Sequence, residues 1–199
     1  MKQLKYVLIL LVVPCLLVSA NPVFAAPFQD QLKTSIDKLV DVLKDPQYQG
    51  QENLAKRRDM LRAIIHERFS FSRMSQLSLG KYWRQITPEE KDEFIALFGR
   101  LLEKTYVSRI ESYNNEEVVY IKTSEKNNKA QVDTKIITES LEIPINYRMY
   151  MQSDGSWKVY DIVVEGVSLV GNYRSQFNQV LRKDSFETLM EDLKKKLDS

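Results

Sequence analysis

The sequence has a single cysteine, a single histidine and six glycines, and these shortages remove several classes of catalytic site. The cysteine, Cys15, lies in an N-terminal segment that we expect to be removed, so neither thiol catalysis nor a disulfide remains. A zinc site would need ligands that the chain barely has, and His66 sits at the edge of the polar face of its predicted helix. The sequence contains no GxSxG elbow, no HExxH motif and no phosphate-cradling glycine loop. The composition therefore argues against an enzyme built on any of these centres.

The first 25 residues have the pattern of a secretory signal peptide. Lys2 and Lys5 precede a mostly apolar run over 6–18, about 13 residues long, which is too short to span a bilayer. Small residues then favour cleavage after Ala25, with cleavage after Ala20 as the alternative. The sequence therefore predicts an exported protein.

Export leaves a mature chain, residues 26–199, that we expect to form a single domain. A lipoprotein attached at Cys15 is the less favoured alternative, because Pro14 stands where a small residue is wanted. Loss of two of the 29 Lys and Arg residues, with all 27 Asp and Glu retained, lowers the formal charge from +2 to 0. Nothing in that charge favours nucleic acid as a partner. An exported, disulfide-free chain with Lys-rich helices indicates the periplasm of a Gram-negative bacterium.

Apolar spacing predicts helices at both ends of the mature chain. The sharpest start signal is the segment 87–90, which has an N-cap threonine, a proline at the first helical position and a glutamate three residues after the cap. The helix that follows is apolar over about 180° of its circumference, against roughly 100° for an ordinary surface helix. It therefore lies deep in the core or faces both a sheet and a second apolar surface. The predicted helices span residues 28–43, 51–69, 71–80, 87–112, 168–181 and 185–197.

Between these two groups of helices the apolar period changes to two, which predicts strands. In the longest one, Ile143, Ile145, Tyr147, Met149 and Met151 point to one side. Pro144, near its start, indicates an edge strand or a bulge, and Asp154-Gly155 is typical of a hairpin turn. The predicted strands span residues 117–123, 129–138, 142–152 and 157–164. The fold class is therefore α+β, with a helical layer on one face of an antiparallel meander of about four strands.

Two carboxylates, Asp161 and Glu165, stand in the otherwise apolar stretch YDIVVEGVSLV at 160–170. Four residues of strand separate their backbones by roughly 13 Å, whereas glycosidase carboxyls lie ~5 to ~9.5 Å apart. Catalysis by this pair is therefore disfavoured. We expect the stretch to be a strand-to-helix joint, with Gly166 at the exit, Ser168 as the N-cap and both acids anchoring the corner. The candidate cationic partners are Arg73, Arg84, Arg148 and Arg174.

A surplus of apolar side chains is the remaining feature that calls for a function. A strand face that ends in Met-x-Met offers adaptable filling, and the widely apolar helix is expected to face it. Each acyl CH₂ left in water costs ~0.8 kcal/mol, so a carrier of lipid needs an apolar pocket but no nucleophile, metal or net charge. The pattern is compatible with such a carrier. The residues concerned are Trp83, Phe98, Leu102, Tyr106, Tyr147, Met149 and Met151.

Several motifs resemble those of one known family. The stretch YDIVVEGVSLV is followed by NYRSQF at 172–177 and by Leu-Arg at 181–182, and upstream stands FSFSRMSQLSLGKYWRQITPEEKDEFIALFGRLLEKTY at 69–106. In this order they resemble MlaC proteins, also called the toluene-tolerance family, over about residues 28–197. One departure is Lys183-Asp184-Ser185, where the family often has a glycine, and it concerns only the local turn.

The resemblance implies helices on a curved sheet around a deep apolar pocket that holds the acyl chains of a phospholipid, with no cofactor. It also implies shuttling between the inner-membrane Mla ABC transporter complex, with its lipid-binding ring protein, and an outer-membrane lipoprotein–porin complex. This shuttling maintains outer-membrane lipid asymmetry. We expect a monomer without catalytic activity. A hopanoid or other lipid as cargo, a periplasmic hydrolase using His66 or the carboxylate pair, and a binding scaffold with a solid core are the alternatives. Strand parity, helix angle and the position of the joint give the lining residues as Phe71 and Trp83 near the entrance, Phe98, Leu102, Tyr106, Tyr147, Met149 and Met151 on the walls, and Val163, Val167 and Leu169 beside the joint.

Overall fold

A computed structural model of the chain describes residues 27–113 and 115–198. The predicted signal peptide lies outside these residues. The helices are α1 (Pro27–Lys44), α2 (Leu54–Arg68), α3 (Phe71–Leu79), α4 (Pro88–Glu111), α5 (Leu169–Leu181) and α6 (Phe186–Asp198), with short 3₁₀ turns at Pro46–Tyr48, Gln51–Asn53 and Gly80–Arg84. The strands are β1 (Glu117–Lys126), β2 (Lys129–Ile137), β3 (Glu142–Met151), β4 (Trp157–Val164) and β5 (Val167–Ser168). The predicted α+β class is confirmed.

The strands form one open antiparallel sheet in the order β1-β2-β3-β4-β5. The first four were predicted, and the fifth is a two-residue strand that pairs Val164 with Val167. Pro144 belongs to β3, which pairs with strands on both sides, so its placement on an edge strand was wrong. The ladder tolerates the proline there, and Pro144 accepts a hydrogen bond from the Glu165 N–H at 3.0 Å. The bulge in β4 lies instead at Tyr160, several residues from the proline along the paired strand.

The start of α4 follows the predicted capping pattern. The Glu90 N–H donates to Thr87 Oγ1 at 3.2 Å, and the Thr87 N–H donates to Glu90 Oε2 at 2.7 Å. These reciprocal bonds satisfy two backbone donors that a helix start otherwise leaves unpaired. Local sequence alone therefore decides where this helix begins.

One face of the sheet, here called the α1 face, is covered by the first helix. Phe28 and Leu32 of α1 are buried against Val132 of β2 and Met149 of β3, and the Phe28 ring lies 5.2 Å from that of Trp157. Burial of several large side chains, at roughly 1.5–3 kcal/mol each, fixes α1 across the sheet.

Helices α3, α4, α5 and α6 build a separate core, which meets the sheet at β4. Phe94 and Phe98 of α4 pack against Tyr173 and Phe177 of α5 with ring centroids 5.0–5.6 Å apart. The wide apolar arc of α4 thus serves a helix bundle. The expectation that α4 faces Met149 was wrong, because α1 covers that residue.

Candidate functional site

The joint between β4 and α5 is organised by a buried carboxylate. Asp161 is 3% exposed. Its oxygens accept hydrogen bonds from Arg148 Nη1 at 3.0 Å, from the Ser168 hydroxyl at 2.7 Å and from the Val170 N–H at 3.0 Å. Ser168 in turn caps α5 by accepting a hydrogen bond from the Gly171 N–H at 2.9 Å. The predicted joint is confirmed for Asp161 and Ser168, and Arg148 is the partner among the four candidates.

Glu165 does not share that role. It is exposed, and its backbone has φ = +49°, followed by Gly166 with φ = +82°. Two successive positive φ values are typical of the tight turn that joins antiparallel strands, here β4 and β5. The expectation that Glu165 anchors the corner was wrong. It sits on the tip of a two-residue hairpin, which the local pattern did not predict because β5 is so short.

The α1 face is closed at one end and open at the other. Below α1, Val132 of β2, Met149 of β3 and Val159 of β4 are fully buried. At the far end the sheet presents aliphatic side chains that are only half-buried. Strand register brings these together, since Val118 pairs with Ile136, Ile136 with Ile143, and Ile145 lies two residues further along β3. They belong to none of the three buried apolar clusters of the described residues. We call Val118, Ile136, Ile143 and Ile145 the open end.

Two tyrosines mark the boundary between the closed part and the open end. Burial raises the pKa of Tyr147 to about 12, although its side chain keeps some accessible surface. Burial, helped by Tyr147 and Asp37, also raises the pKa of Tyr120. The Tyr120 hydroxyl is buried and has no hydrogen-bond partner among the described residues. Such a group is costly unless something polar reaches it.

The structure distributes the predicted wall residues over two cores. Phe98 and Leu102 are fully buried in the helix bundle, where protein side chains surround them, and Tyr106 is half-buried at its edge. Phe71, Trp83 and Leu169 also lie at the edge of the bundle. From the sheet, Met149 is buried beneath α1, next to Tyr147.

Three further predicted wall residues lie apart from these. Val163 pairs with Asn146 and so lies on the opposite face of the sheet from Tyr147. Val167, at 61% exposed, and Met151, at 37%, lie on the surface at opposite ends of the sheet. Met151 borders an open polar groove of about 580 Å³ near Tyr150 and Gln76.

Sequence reasoning missed the residues that define the open end. Ile143 and Ile145 were assigned to the correct strand side, but nothing in the pattern distinguished a covered aliphatic residue from an uncovered one. Tyr120 was missed because the register of its strand against the next one was not known. Its position opposite Thr134 follows only from the β1–β2 register.

Little in the described residues suits catalysis or metal binding. His66 Nε2 lies 2.8 Å from Glu103 Oε1 on the surface, between α2 and α4. No group of three potential metal ligands is present within residues 27–113 and 115–198. In the same part of the chain, no helix combines the length and the apolar character that crossing a membrane requires.

These features define an α+β domain whose open antiparallel sheet is covered by α1 at one end and carries half-buried aliphatic side chains at the other, beside a helix bundle. Residues 33–195 match the family model of the MlaC protein, and the chain belongs to that family. It is 30% identical over 118 residues to the intermembrane phospholipid transport system binding protein MlaC of Haemophilus influenzae, covering 56% of this chain and 55% of that protein. It is 27% identical over 106 residues to the toluene tolerance protein ttg2D of Pseudomonas putida, covering 52% and 49%. The chain thus matches about half the length of these curated relatives.

A solved structure extends the similarity to the whole fold. The phospholipid-binding protein of Ralstonia solanacearum, determined in complex with a phospholipid, superposes with a TM-score of 0.78 at 28% identity. The match covers 87% of this chain and 98% of that one. The same fold therefore holds a phospholipid in a related protein.

Proposed function

We propose that this protein is a periplasmic lipid carrier that encloses the acyl chains of a phospholipid against the open end of the α1 face. The observation that carries the proposal is the set of half-buried aliphatic side chains at that end, Val118, Ile136, Ile143 and Ile145, which no buried apolar cluster of the described residues includes. A contiguous set of incompletely covered aliphatic side chains is typical of a binding surface, whereas isolated ones are not.

The energetics of lipid transfer explain why uncovered aliphatic side chains are useful. Each buried CH₂ group contributes ~0.8 kcal/mol, so the roughly 30 groups of a two-chain lipid cannot cross water unprotected. When the acyl chains bind, the aliphatic side chains of the open end lose contact with water and gain contact with the lipid. The phenol of Tyr120 gives this wall one unpaired polar group, suited to an ester oxygen of the lipid.

The proposed lining extends the open end toward the helices. Tyr147 and Met149 continue it along β3. We assign Tyr106 and Leu169, which lie at the edge of the bundle, to the same lining. Phe98 and Leu102 belong to the lining only if the helices of the bundle move apart when lipid enters. Phe71 and Trp83 remain our candidates for the entrance, and Met151, Val163 and Val167 contribute less directly because of their positions on the sheet.

The carrier would act between two membranes. We propose that a signal peptide over residues 1–25 exports the chain to the periplasm and that it works there as a monomer, without a cofactor and without catalysis. It would accept lipid at one complex and release it at another, the two being the inner-membrane Mla ABC transporter complex and an outer-membrane lipoprotein–porin complex. Exchange in this system would maintain outer-membrane lipid asymmetry. The membership of the MlaC family supports this assignment.

The first test is to purify the protein from periplasmic extract and identify bound lipid by native mass spectrometry and solvent extraction. We expect one phospholipid per chain. A hopanoid in its place would change the cargo, and the absence of any lipid, together with failure to load phospholipid, would overturn the proposal.

Variants locate the site. Ile145→Arg and Tyr147→Arg should each lower bound phospholipid at least tenfold while circular dichroism stays unchanged. Ile121→Arg is the matched control, because Ile121 is an exposed aliphatic residue at the β1 bulge, and it should keep its lipid. Equal lipid content in all three variants would move the site elsewhere. Activity lost in His66→Ala against ester substrates would instead favour the hydrolase.

A further inference from the structure

The turns at one end of the sheet expose apolar side chains to solvent. Leu141 is 63% exposed and Val167 is 61% exposed, and Val164 is also exposed. The register places them together, since Val164 pairs with both Ile145 and Val167, and Leu141 directly precedes β3. This is the same end of the sheet at which the aliphatic side chains of the open end lie.

Backbone hydrogen bonds hold these turns in place. The Thr138 N–H donates to the Leu141 carbonyl at 2.9 Å, and the Leu141 N–H donates to Thr138 Oγ1 at 2.9 Å. The Glu165 N–H donates to the Pro144 carbonyl at 3.0 Å. The apolar tips are therefore presented on an ordered surface. Clustered exposed apolar side chains mark interaction sites more often than isolated ones do.

The same turns are strongly acidic. Four exposed glutamates, Glu117, Glu139, Glu142 and Glu165, surround the apolar tips. The one lysine nearby in these segments, Lys135, already pairs with Glu142 at 2.7 Å. The opposite end of the sheet instead carries Lys126, Lys129 and Lys158. We call the surface of Leu141, Val164, Val167 and the four glutamates the acidic rim.

We propose that the acidic rim is a docking surface for a protein partner whose contact face carries Lys and Arg side chains around an apolar depression. Charge complementarity selects this occupant, because unlike charges steer association and like charges are repelled. A bilayer of anionic lipid would meet four glutamates and is therefore disfavoured. This inference deepens the proposed function, because a partner seated on the rim would stand beside the open end.

Binding measurements with purified cognate components test the docking surface. The probes are the soluble domain of the lipid-binding ring protein of the inner-membrane complex and the detergent-solubilised outer-membrane complex. We expect the double variant Glu139→Lys, Glu165→Lys and the single variant Leu141→Ser each to weaken binding to at least one probe tenfold or more. Wild-type binding should also weaken as salt rises from 50 to 300 mM. Wild-type protein that binds neither probe, or rim variants that bind both unchanged, would overturn the proposal.

Matched controls separate the rim from general surface effects. Met60→Ser and Glu125→Lys alter an exposed apolar and an exposed acidic residue away from the rim, and both should bind as wild type does. Equal losses in these controls would contradict the assignment. Two other results would also contradict the assignment. One is that wild-type protein binds vesicles of phosphatidylcholine with 30% phosphatidylglycerol and that the rim variants alter this binding. The other is concentration-dependent self-association of the wild type that the rim variants abolish.

The bound lipid of the same variants distinguishes this proposal from the carrier function. Rim variants should keep one phospholipid per chain, because the substituted side chains point to solvent. Absence of lipid from wild-type protein would refute the carrier function. The docking surface would then be judged from the binding measurements alone. Normal lipid content with unchanged binding would refute the docking surface alone.

Discussion

Arg148 and Asp161 face each other across β3 and β4, with the guanidinium Nη1 3.0 Å from the carboxylate Oδ2. The arginine is half-exposed and the aspartate is buried, so the pair joins the surface of the sheet to the start of α5. Asp161 also receives the Ser168 hydroxyl and the Val170 N–H. One carboxylate thus fixes the strand, the following turn and the helix that packs into the bundle.

Asp161→Ala should lower the free energy of unfolding by about 2–3 kcal/mol, because it leaves the buried Val170 N–H and the half-buried Ser168 hydroxyl without this acceptor and removes an ion pair. Urea unfolding followed by circular dichroism measures the loss. The bound lipid of the folded fraction should not change, since Asp161 lies on the sheet face opposite to Tyr147. Wild-type stability in this variant would show that the network contributes nothing.

Glu165→Gly should raise the free energy of unfolding by about 0.5–1 kcal/mol, because glycine adopts a positive φ without the steric cost that a side chain incurs. The matched change is Gly166→Ala, which meets no heavy atom within 4 Å and yet imposes φ = +82° on an alanine. It should destabilise by a similar amount. A lower midpoint in urea for Glu165→Gly would mean that the carboxylate has a structural role after all.

Tyr120→Phe should stabilise the lipid-free protein by up to about 1 kcal/mol, because it removes a buried hydroxyl that lacks a partner. The same variant should bind phospholipid about fivefold more weakly if that hydroxyl bonds to the lipid, as proposed. Tyr150→Phe is the control, since the Tyr150 hydroxyl donates to Ser70 at 3.0 Å and its loss should destabilise. Titration with a fluorescent phospholipid, beside urea unfolding, separates the two effects.

Alkaline pH should weaken the fold through Tyr147. Its folded pKa is about 12 against an ordinary value of 10.0, so the unfolded chain loses this proton first as pH rises. The stabilisation is fully present below pH 10 and is lost between pH 10 and about 12, at roughly 1.4 kcal/mol per pH unit.

Comparison with Tyr147→Phe isolates this contribution from the lysines that titrate in the same range. The free energy of unfolding of the wild type should fall more steeply with pH than that of the variant between pH 10 and 11.5. Parallel curves would contradict the burial of the Tyr147 phenol.

Most of the secondary structure was predictable because it depends on neighbours in the sequence. Thr87, Pro88 and Glu90 start a helix through bonds that close within four residues. The turn at Asp154-Gly155 and the cap at Ser168 are equally local. By contrast, β5 was missed because two residues are too few to create a pattern. Pro144 was misleading because a proline favours an edge strand, whereas β3 accommodates it between two neighbouring strands.

The candidate site was predicted only in part. Strand alternation correctly grouped Tyr147 with Met149. It could not show that Val163 lies on the opposite face of the sheet from Tyr147, because that follows from the bulge in β4 and the pairing of β4 with β3. The angular positions of Phe98 and Leu102 placed both on the apolar face of α4. They could not show that α5 and α6 cover this face.

By itself the sequence determined the α+β class, the bounds of most elements, the caps, and the motifs that resemble the MlaC family, because these depend on residue type and short spacing. Only the tertiary structure decided which helix covers the sheet. Phe28 meets Trp157 across more than a hundred residues of chain, and no local period encodes such a contact. The tertiary structure also decides the open end, the unpaired Tyr120 hydroxyl and the acidic rim, because whether a side chain is covered depends on segments far apart in sequence.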